Sequence, residues 1–194
     1  MKRILFITAI ALILNSCQKQ GNNPAGTEIQ TTFFTNISFG DDKETVLNGF
    51  YAQGFTDAAS KEKDAHFDSI PTGDGNNFIQ LKILMPPHPE GFDFQGLKWN
   101  NVQVQLDSKG LFSMTFHSPS AGKEKIERQC RQLLRTLQKK GYGMARTVIG
   151  QSSIEGQATH IVGYRYSDGK RIVQFYRNDT GDSLSSISLS YTEN

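Results

Sequence analysis

Val102–Phe116 reads VQVQLDSKGLFSMTF, and the prediction of a sheet starts from this stretch. Its first five residues alternate strictly between apolar and polar side chains, and the alternation returns at Phe112, Met114 and Phe116. Such alternation is typical of a β-strand with one buried face, because successive side chains point to opposite sides. Between the two runs, Asp107–Gly110 is rich in turn-forming residues. The stretch therefore predicts an antiparallel hairpin that packs one face on a core.

Other stretches repeat this pattern on both sides of the hairpin. His160–Tyr166 and Arg171–Tyr176 flank Asp168-Gly169, a pair typical of a type I′ turn, in which both central residues need positive φ. A last strand is predicted at Ser186–Tyr191, and an earlier one at Phe78–Met85, which Pro86-Pro87 ends. The residues predicted to share one face are Ile187, Leu189 and Tyr191 in the last strand, and Ile79, Leu81, Ile83 and Met85 in the earlier one.

Two helices are predicted from apolar residues at helical spacing. The longer covers roughly Ala121–Lys140, with Ser118-Pro119 as a start and Gly141 as a stop. The shorter covers roughly Asp42–Gln53 and ends at Gly54, with Asp41 and Glu44 as a capping box. The apolar stripes are Ile126, Cys130, Leu133, Leu134 and Leu137 in the longer helix, and Val46, Leu47 and Phe50 in the shorter one.

The two halves of the chain resemble each other. Lys43-Glu44-Thr45-Val46 parallels Lys123-Glu124-Lys125-Ile126, and Phe112, Met114 and Phe116 precede Ile187, Leu189 and Tyr191 by 75 positions. We therefore expect an α+β fold of two tandem units, 33–117 and 118–194, each a helix packed on a three- to four-stranded antiparallel sheet. This arrangement is topologically similar to the β-lactamase-inhibitor-protein-like fold. The resemblance includes no functional motif, so it implies no functional residues.

The N-terminus has the pattern of a secretory signal, expected at residues 1–16. Lys2 and Arg3 precede a short apolar run that ends in Leu14-Asn15-Ser16-Cys17. This ending resembles the lipobox of bacterial lipoproteins, which implies acylation of Cys17, cleavage before it and anchoring in a lipid bilayer. Residues 17–32 are polar and rich in Gly, Pro and Asn, and are expected to form a flexible tether. Gln18 differs from the Asp that resembles an inner-membrane retention signal, which favours the outer membrane and its periplasmic side.

Charge and composition argue against several function classes. Without Lys2 and Arg3, 19 basic residues balance 19 acidic ones, so net charge predicts no nucleic-acid partner and no basic stripe for anionic lipid. The four histidines lack metal-ligand spacing, and Cys130 lies on an apolar stripe without a partner for a disulfide. We expect no metal, no cofactor and no catalytic residues.

The segment Pro86–Asn101 carries the candidate binding patch. Phe92, Phe94 and Trp99 follow two prolines in a polar setting and could anchor a partner. Alternatively, they fill the core beneath a loop. The function expected from the sequence is a non-catalytic binding module for a protein, a peptide or a glycan. An envelope assembly or scaffold lipoprotein, or an enzyme of unrecognised type, are the alternatives.

Overall fold

The computed structural model describes residues 26–58, 66–71, 78–154, 157–179 and 183–194, with backbone only for 151–154 and 157–159. Helix α1 spans Lys43–Ala52 and helix α2 spans Lys123–Lys139. The strands of the described residues are β1 (Thr32–Phe33), β2 (Ile37–Ser38), β3 (Thr56–Asp57), β4 (Asp68–Pro71), β5 (Phe78–Met85), β6 (Phe92–Phe94), β7 (Leu97–Trp99), β8 (Asn101–Asp107), β9 (Gly110–His117), β10 (Ala121–Gly122), β11 (Ala145–Ile154), β12 (Gln157–Ser167), β13 (Arg171–Asp179) and β14 (Leu184–Glu193).

Ten of these strands form one antiparallel sheet, and this overturns the expected fold of two helix-on-sheet units. The order is β11-β12-β13-β14-β9-β8-β5-β3, with β10 beside β14 and β4 beside β5. The two halves join where β9 pairs with β14, Thr115 opposite Ser190 and Phe116 opposite Leu189. Separate units would each present an open strand edge here. Pairing the two edges satisfies their backbone groups and gives one continuous sheet.

Both helices lie on the same face of the sheet and share one core. Helix α1 packs on β9 and α2 packs on β13 and β14. Ile126, Leu133 and Leu137 of the predicted α2 stripe are fully buried, whereas Cys130 and Leu134 of the same stripe are only partly buried. No helix within the described residues is long and apolar enough to cross a bilayer.

The opposite face of the sheet has no helix on it among the described elements. It is polar across the central strands, whereas β5 adds the apolar Leu81 and Ile83 to it. One row across the central strands holds Gln103, Thr115, Ser190 and Gln174, which pair in register. Only small residues such as Ser188 are buried on this face, while the larger polar side chains stay partly exposed. We refer to it below as the open face.

Alternation located the strands that it predicted, although β11 and the short strands were not among them. The residues predicted to share one face of β5 do so, but they lie on the open face. In β5, Lys82 and Leu84 point to the core, and Ile83 is exposed. Lys82 is tolerated there because it forms an ion pair with Asp57 and donates to the backbone carbonyl of His66. In β9, a bulge places Leu106 opposite Leu111, so Phe112 is only partly buried.

The helix ends differ from the predicted caps at their N-termini. Asp42, and not Asp41, caps α1, because its Oδ1 accepts the Thr45 N–H at 2.8 Å. Helix α2 starts after Gly122 without a side-chain cap, since β10 first pairs with β14. Both predicted glycine stops are confirmed, with φ of 84° at Gly54 and 88° at Gly141.

The turn at Asp168 is not the predicted type I′ turn. Gly169 has a positive φ of 94°, whereas Asp168 does not. The Asp168 carboxylate instead accepts backbone N–H groups of Lys170, Arg171 and the distant Ile29, the last at 2.8 Å. This carboxylate therefore joins the β12–β13 turn to the N-terminal segment of the described chain.

Candidate functional site

The structure places the predicted aromatic patch inside the protein. Trp99 has 0% exposure, and its indole N–H donates to the Phe94 carbonyl oxygen at 2.7 Å. Phe92 and Phe94 are partly buried and pack on Phe116, with ring centroids 6.1 and 4.4 Å away. These contacts favour the alternative interpretation, in which the three aromatics fill the core. Cys17, the predicted lipid-attachment residue, lies outside the described residues.

A different site opens where β12 and β13 separate. Their pairing ends at Gly163 opposite Tyr176, although β12 begins at Gln157 and β13 continues to Asp179. Beyond this point β12 stays paired with β11, and β13 stays paired with β14. Two strand edges, at 160–162 and 177–179, therefore face each other without a ladder between them.

Gly163 marks the point where the strands begin to part. A Cβ atom there would lie 2.4 Å from the Phe175 carbonyl oxygen. Any residue with a side chain at this position would therefore force β12 and β13 apart within the region where they now pair. In antiparallel strands, every second residue turns its N–H and C=O toward the neighbouring strand. Alternate residues in 160–162 and 177–179 consequently direct free donors and acceptors into the gap.

Helix α2 turns this gap into a groove of about 860 Å³. Glu127, Cys130 and Arg131 form the helix side of the groove. On the sheet side it is lined by Arg146 of β11, by His160, Ile161, Val162, Gly163 and Tyr164 of β12, and by Phe175, Tyr176, Arg177, Asn178 and Asp179 of β13. We call this feature the β12–β13 groove. It combines apolar and aromatic side chains with a few charged groups, as ligand-binding clefts do.

Some charged groups of the groove form ion pairs, and others do not. Arg177 contacts Asp179 at 3.0 Å and Glu127 at 3.5 Å, and Arg131 lies 3.8 Å from Glu127. The guanidinium of Arg146 has no ion pair or hydrogen bond with any residue that the structure describes, and neither has the imidazole of His160. Among the described residues, the groove therefore presents solvent-exposed hydrogen-bond donors without a protein partner, and the unpaired positive charge of Arg146.

Cys130 is suited to packing in the groove, not to nucleophilic chemistry. It is partly buried, and burial raises the pKa of its thiol to about 11. A nucleophilic cysteine needs a pKa near or below neutrality and a neighbouring base. The thiol therefore stays protonated at physiological pH.

A serine and a histidine meet on the open face. His117 Nδ1 lies 3.0 Å from Ser188 Oγ, which also accepts the Asn178 side-chain N–H at 2.8 Å. Burial lowers the pKa of the His117 imidazole. Ser188 is completely buried, so a substrate could not reach its oxygen, and we assign the pair a role in holding three strands together.

No cluster of metal-binding side chains was found among the described residues. A scan against models of protein families found no match, and neither the curated proteins nor the solved structures contain a significant match to this chain.

Proposed function

We propose that this protein is a lipid-anchored, non-catalytic module of the cell envelope that binds an extended peptide segment of a partner protein in the β12–β13 groove. The observation that carries this proposal is the separation of β12 from β13, which leaves two strand edges facing one space. Exposed strand edges pair readily with an added strand. An extended peptide would supply the missing ladder partners, in the strand-addition mode of peptide recognition.

The side chains of the groove favour an acidic peptide. Arg146 and His160 can donate to carboxylates, and guanidinium–carboxylate pairs give both affinity and orientation. Val162, Tyr164 and Phe175 lie on the same sheet face as Arg146, so apolar residues between the acidic ones would find contacts. Acidic and apolar side chains at alternating positions match the period of an extended strand.

Reversing the charge of Arg146 tests this interpretation. The probe is a fluorescein-labelled octapeptide of alternating valine and glutamate, added to the detergent-solubilised full chain. Arg146→Glu should weaken binding by about ten-fold, since it replaces an attraction with a repulsion at the groove mouth. Fluorescence anisotropy measures the affinity.

The matched control is Arg165→Glu, which makes the same charge change on the neighbouring strand but on the open face. This variant should bind the acidic octapeptide as the parent does. An equal loss in both variants, or equal binding of an octapeptide of valine and lysine, would show that the groove does not select the peptide.

The lipid anchor rests on the sequence. Lys2 and Arg3, the apolar run and Leu14-Asn15-Ser16-Cys17 together support an acylated Cys17. Gln18 supports the outer membrane, with the domain facing the periplasm. Each buried acyl methylene contributes about 0.8 kcal/mol, so two or three chains would hold the protein in the membrane.

Replacing Cys17 with Ala should abolish labelling by a palmitate analogue and release the protein from the membrane fraction. Cys130→Ala serves as the control and should leave both properties unchanged, because its thiol is protonated and partly buried. Palmitate labelling that persists in the Cys17 variant would refute the anchor.

A further inference from the structure

The solvent-facing side of α2 is cationic along most of its length. Arg128, Arg131, Arg135 and Lys139 are all exposed and follow one another at intervals of three or four residues. This spacing aligns them on one side of a helix, opposite the buried stripe of Ile126, Leu133 and Leu137. They line a shallow groove of about 400 Å³ with Gln132 and Thr136. We call this set of four cations the α2 ridge.

The charge of the α2 ridge is largely uncompensated. Arg128, Arg135 and Lys139 form no ion pair with the residues that the structure describes, and Arg131 only approaches Glu127, at 3.8 Å. Lys123–Lys139 contains six basic and two acidic residues, although the chain after Cys17 is neutral as a whole. The expectation from net charge, that no basic stripe exists, is therefore corrected by the placement of these residues.

The N-terminal segment enters the described domain at the C-terminal end of α2. Thr27 packs on Gly141, where an added Cβ atom would lie 2.2 Å from the threonine Oγ1. Gln30 continues past this end and accepts a hydrogen bond from Lys140 Nζ at 3.4 Å. Gly141 lies two residues beyond Lys139, so the α2 ridge begins within one helical turn of the place where the chain comes in from Cys17.

We propose that the α2 ridge lies against the anionic phospholipid head groups of the membrane that holds Cys17. This inference rests on the proposed anchor but not on peptide binding in the β12–β13 groove. Nine peptide units connect Cys17 to Gly26 and can span at most roughly 30 Å, so an anchored domain stays close to the bilayer. Tethering raises the effective concentration of the ridge at the surface, where clustered cations are attracted to anionic lipid phosphates.

The test measures which surface of the anchored protein touches the bilayer. The full lipidated chain, carrying Cys130→Ser and Gln138→Cys, is labelled with a fluorophore at 138 and inserted into vesicles that contain head-group spin-labelled lipid. Gln138 is exposed and adjoins Lys139. We expect strong quenching in vesicles of phosphatidylcholine with about one third phosphatidylglycerol, and a clear loss of quenching in high salt, which screens exposed charges.

Charge-reversed variants and a second label complete the test. Arg128→Glu with Arg135→Glu should reduce quenching to its level in pure phosphatidylcholine, whereas Lys109→Glu with Arg165→Glu, the same charge change elsewhere, should not. A label at Gln103→Cys on the open face should be quenched weakly throughout. Equal quenching at 138 with and without anionic lipid would overturn the proposal. Failure of the protein to float with pure phosphatidylcholine vesicles would instead refute the anchor itself.

Discussion

Asp168→Ala should lower the free energy of unfolding by about 3–5 kcal/mol, the cost of breaking a buried ion pair from one side. Arg171 is buried, lies 3.7 Å from Asp168, and donates to the Ile29 carbonyl oxygen. Removing the carboxylate would leave this guanidinium with the more exposed Glu28 and Glu193. It would also leave the Ile29 N–H without its acceptor. Urea denaturation at pH 7 measures the loss.

The effect of Asp168 should depend on pH in a defined direction. Burial raises the pKa of this carboxyl, but hydrogen bonds from Ile29, Arg171 and Lys170, with the charge of Arg171, lower it overall. A lowered pKa in the folded state stabilises the fold above the unfolded-state pKa of about 3.9. The difference in the free energy of unfolding between parent and variant should therefore be largest near neutrality. It should shrink as the pH falls below about 4, toward the folded-state pKa.

Asp107→Ala provides the matched control for Asp168→Ala. Asp107 also closes a hairpin turn and accepts the Lys109 N–H at 2.7 Å, but it is exposed. Its replacement should cost only about 0.5–1.5 kcal/mol, the usual net value of one hydrogen bond. Similar losses in the two variants would show that the Asp168–Arg171 network does not join the N-terminal segment to the sheet.

Phe116→Ala should destabilise the protein by about 3–5 kcal/mol, the range for truncating a fully buried aromatic ring. Phe116 has 0% exposure on the central strand β9. Its ring stacks on Phe94 with centroids 4.4 Å apart, and it also contacts Trp99 and Tyr191 at 5.8 and 6.4 Å. The cavity would open where the two halves of the sheet meet.

Phe78→Ala is the control for Phe116→Ala, because Phe78 is 55% exposed on β5. Its loss should change the free energy of unfolding by no more than about 0.5 kcal/mol. If Phe116→Ala were as mild as this control, the aromatic residues around β9 could not be the centre of the core.

The elements that sequence analysis predicted well are those with a strong local signal. The β8–β9 hairpin, strand β14 and both helices lie where periodicity placed them, within one or two residues. Gly54 and Gly141 end their helices because a positive φ is costly for other residues. Each of these features is determined by side chains that are close together in the chain.

The largest errors come from contacts between distant residues. The β9–β14 pairing joins strands about 75 residues apart, and nothing local distinguishes an edge that stays open from one that pairs. Lys82 faces the core only because Asp57 and the His66 carbonyl lie there, and alternation alone could not identify these partners. The aromatic segment around Trp99 has the same composition whether it covers a core or binds a partner.

The two proposed binding surfaces differ in how well the sequence predicts them. The α2 ridge could have been found from the spacing of Arg128, Arg131, Arg135 and Lys139, once helix periodicity was applied to charged as well as apolar residues. The β12–β13 groove could not, because it depends on where a ladder stops. Gly163, a glycine within an alternating strand, was the one local indication that two backbones approach closely there.

Amide hydrogen exchange of the β12–β13 groove tests peptide binding by strand addition most directly. Without peptide, alternate amides within 160–162 and 177–179 should exchange rapidly, while the paired strands around Val173 and Tyr166 stay protected. Adding the octapeptide of valine and glutamate should slow exchange at those same amides, in both edges together. If the peptide binds without protecting them, or protects only the outer edge of β11 or the open face, then the groove is not the binding site.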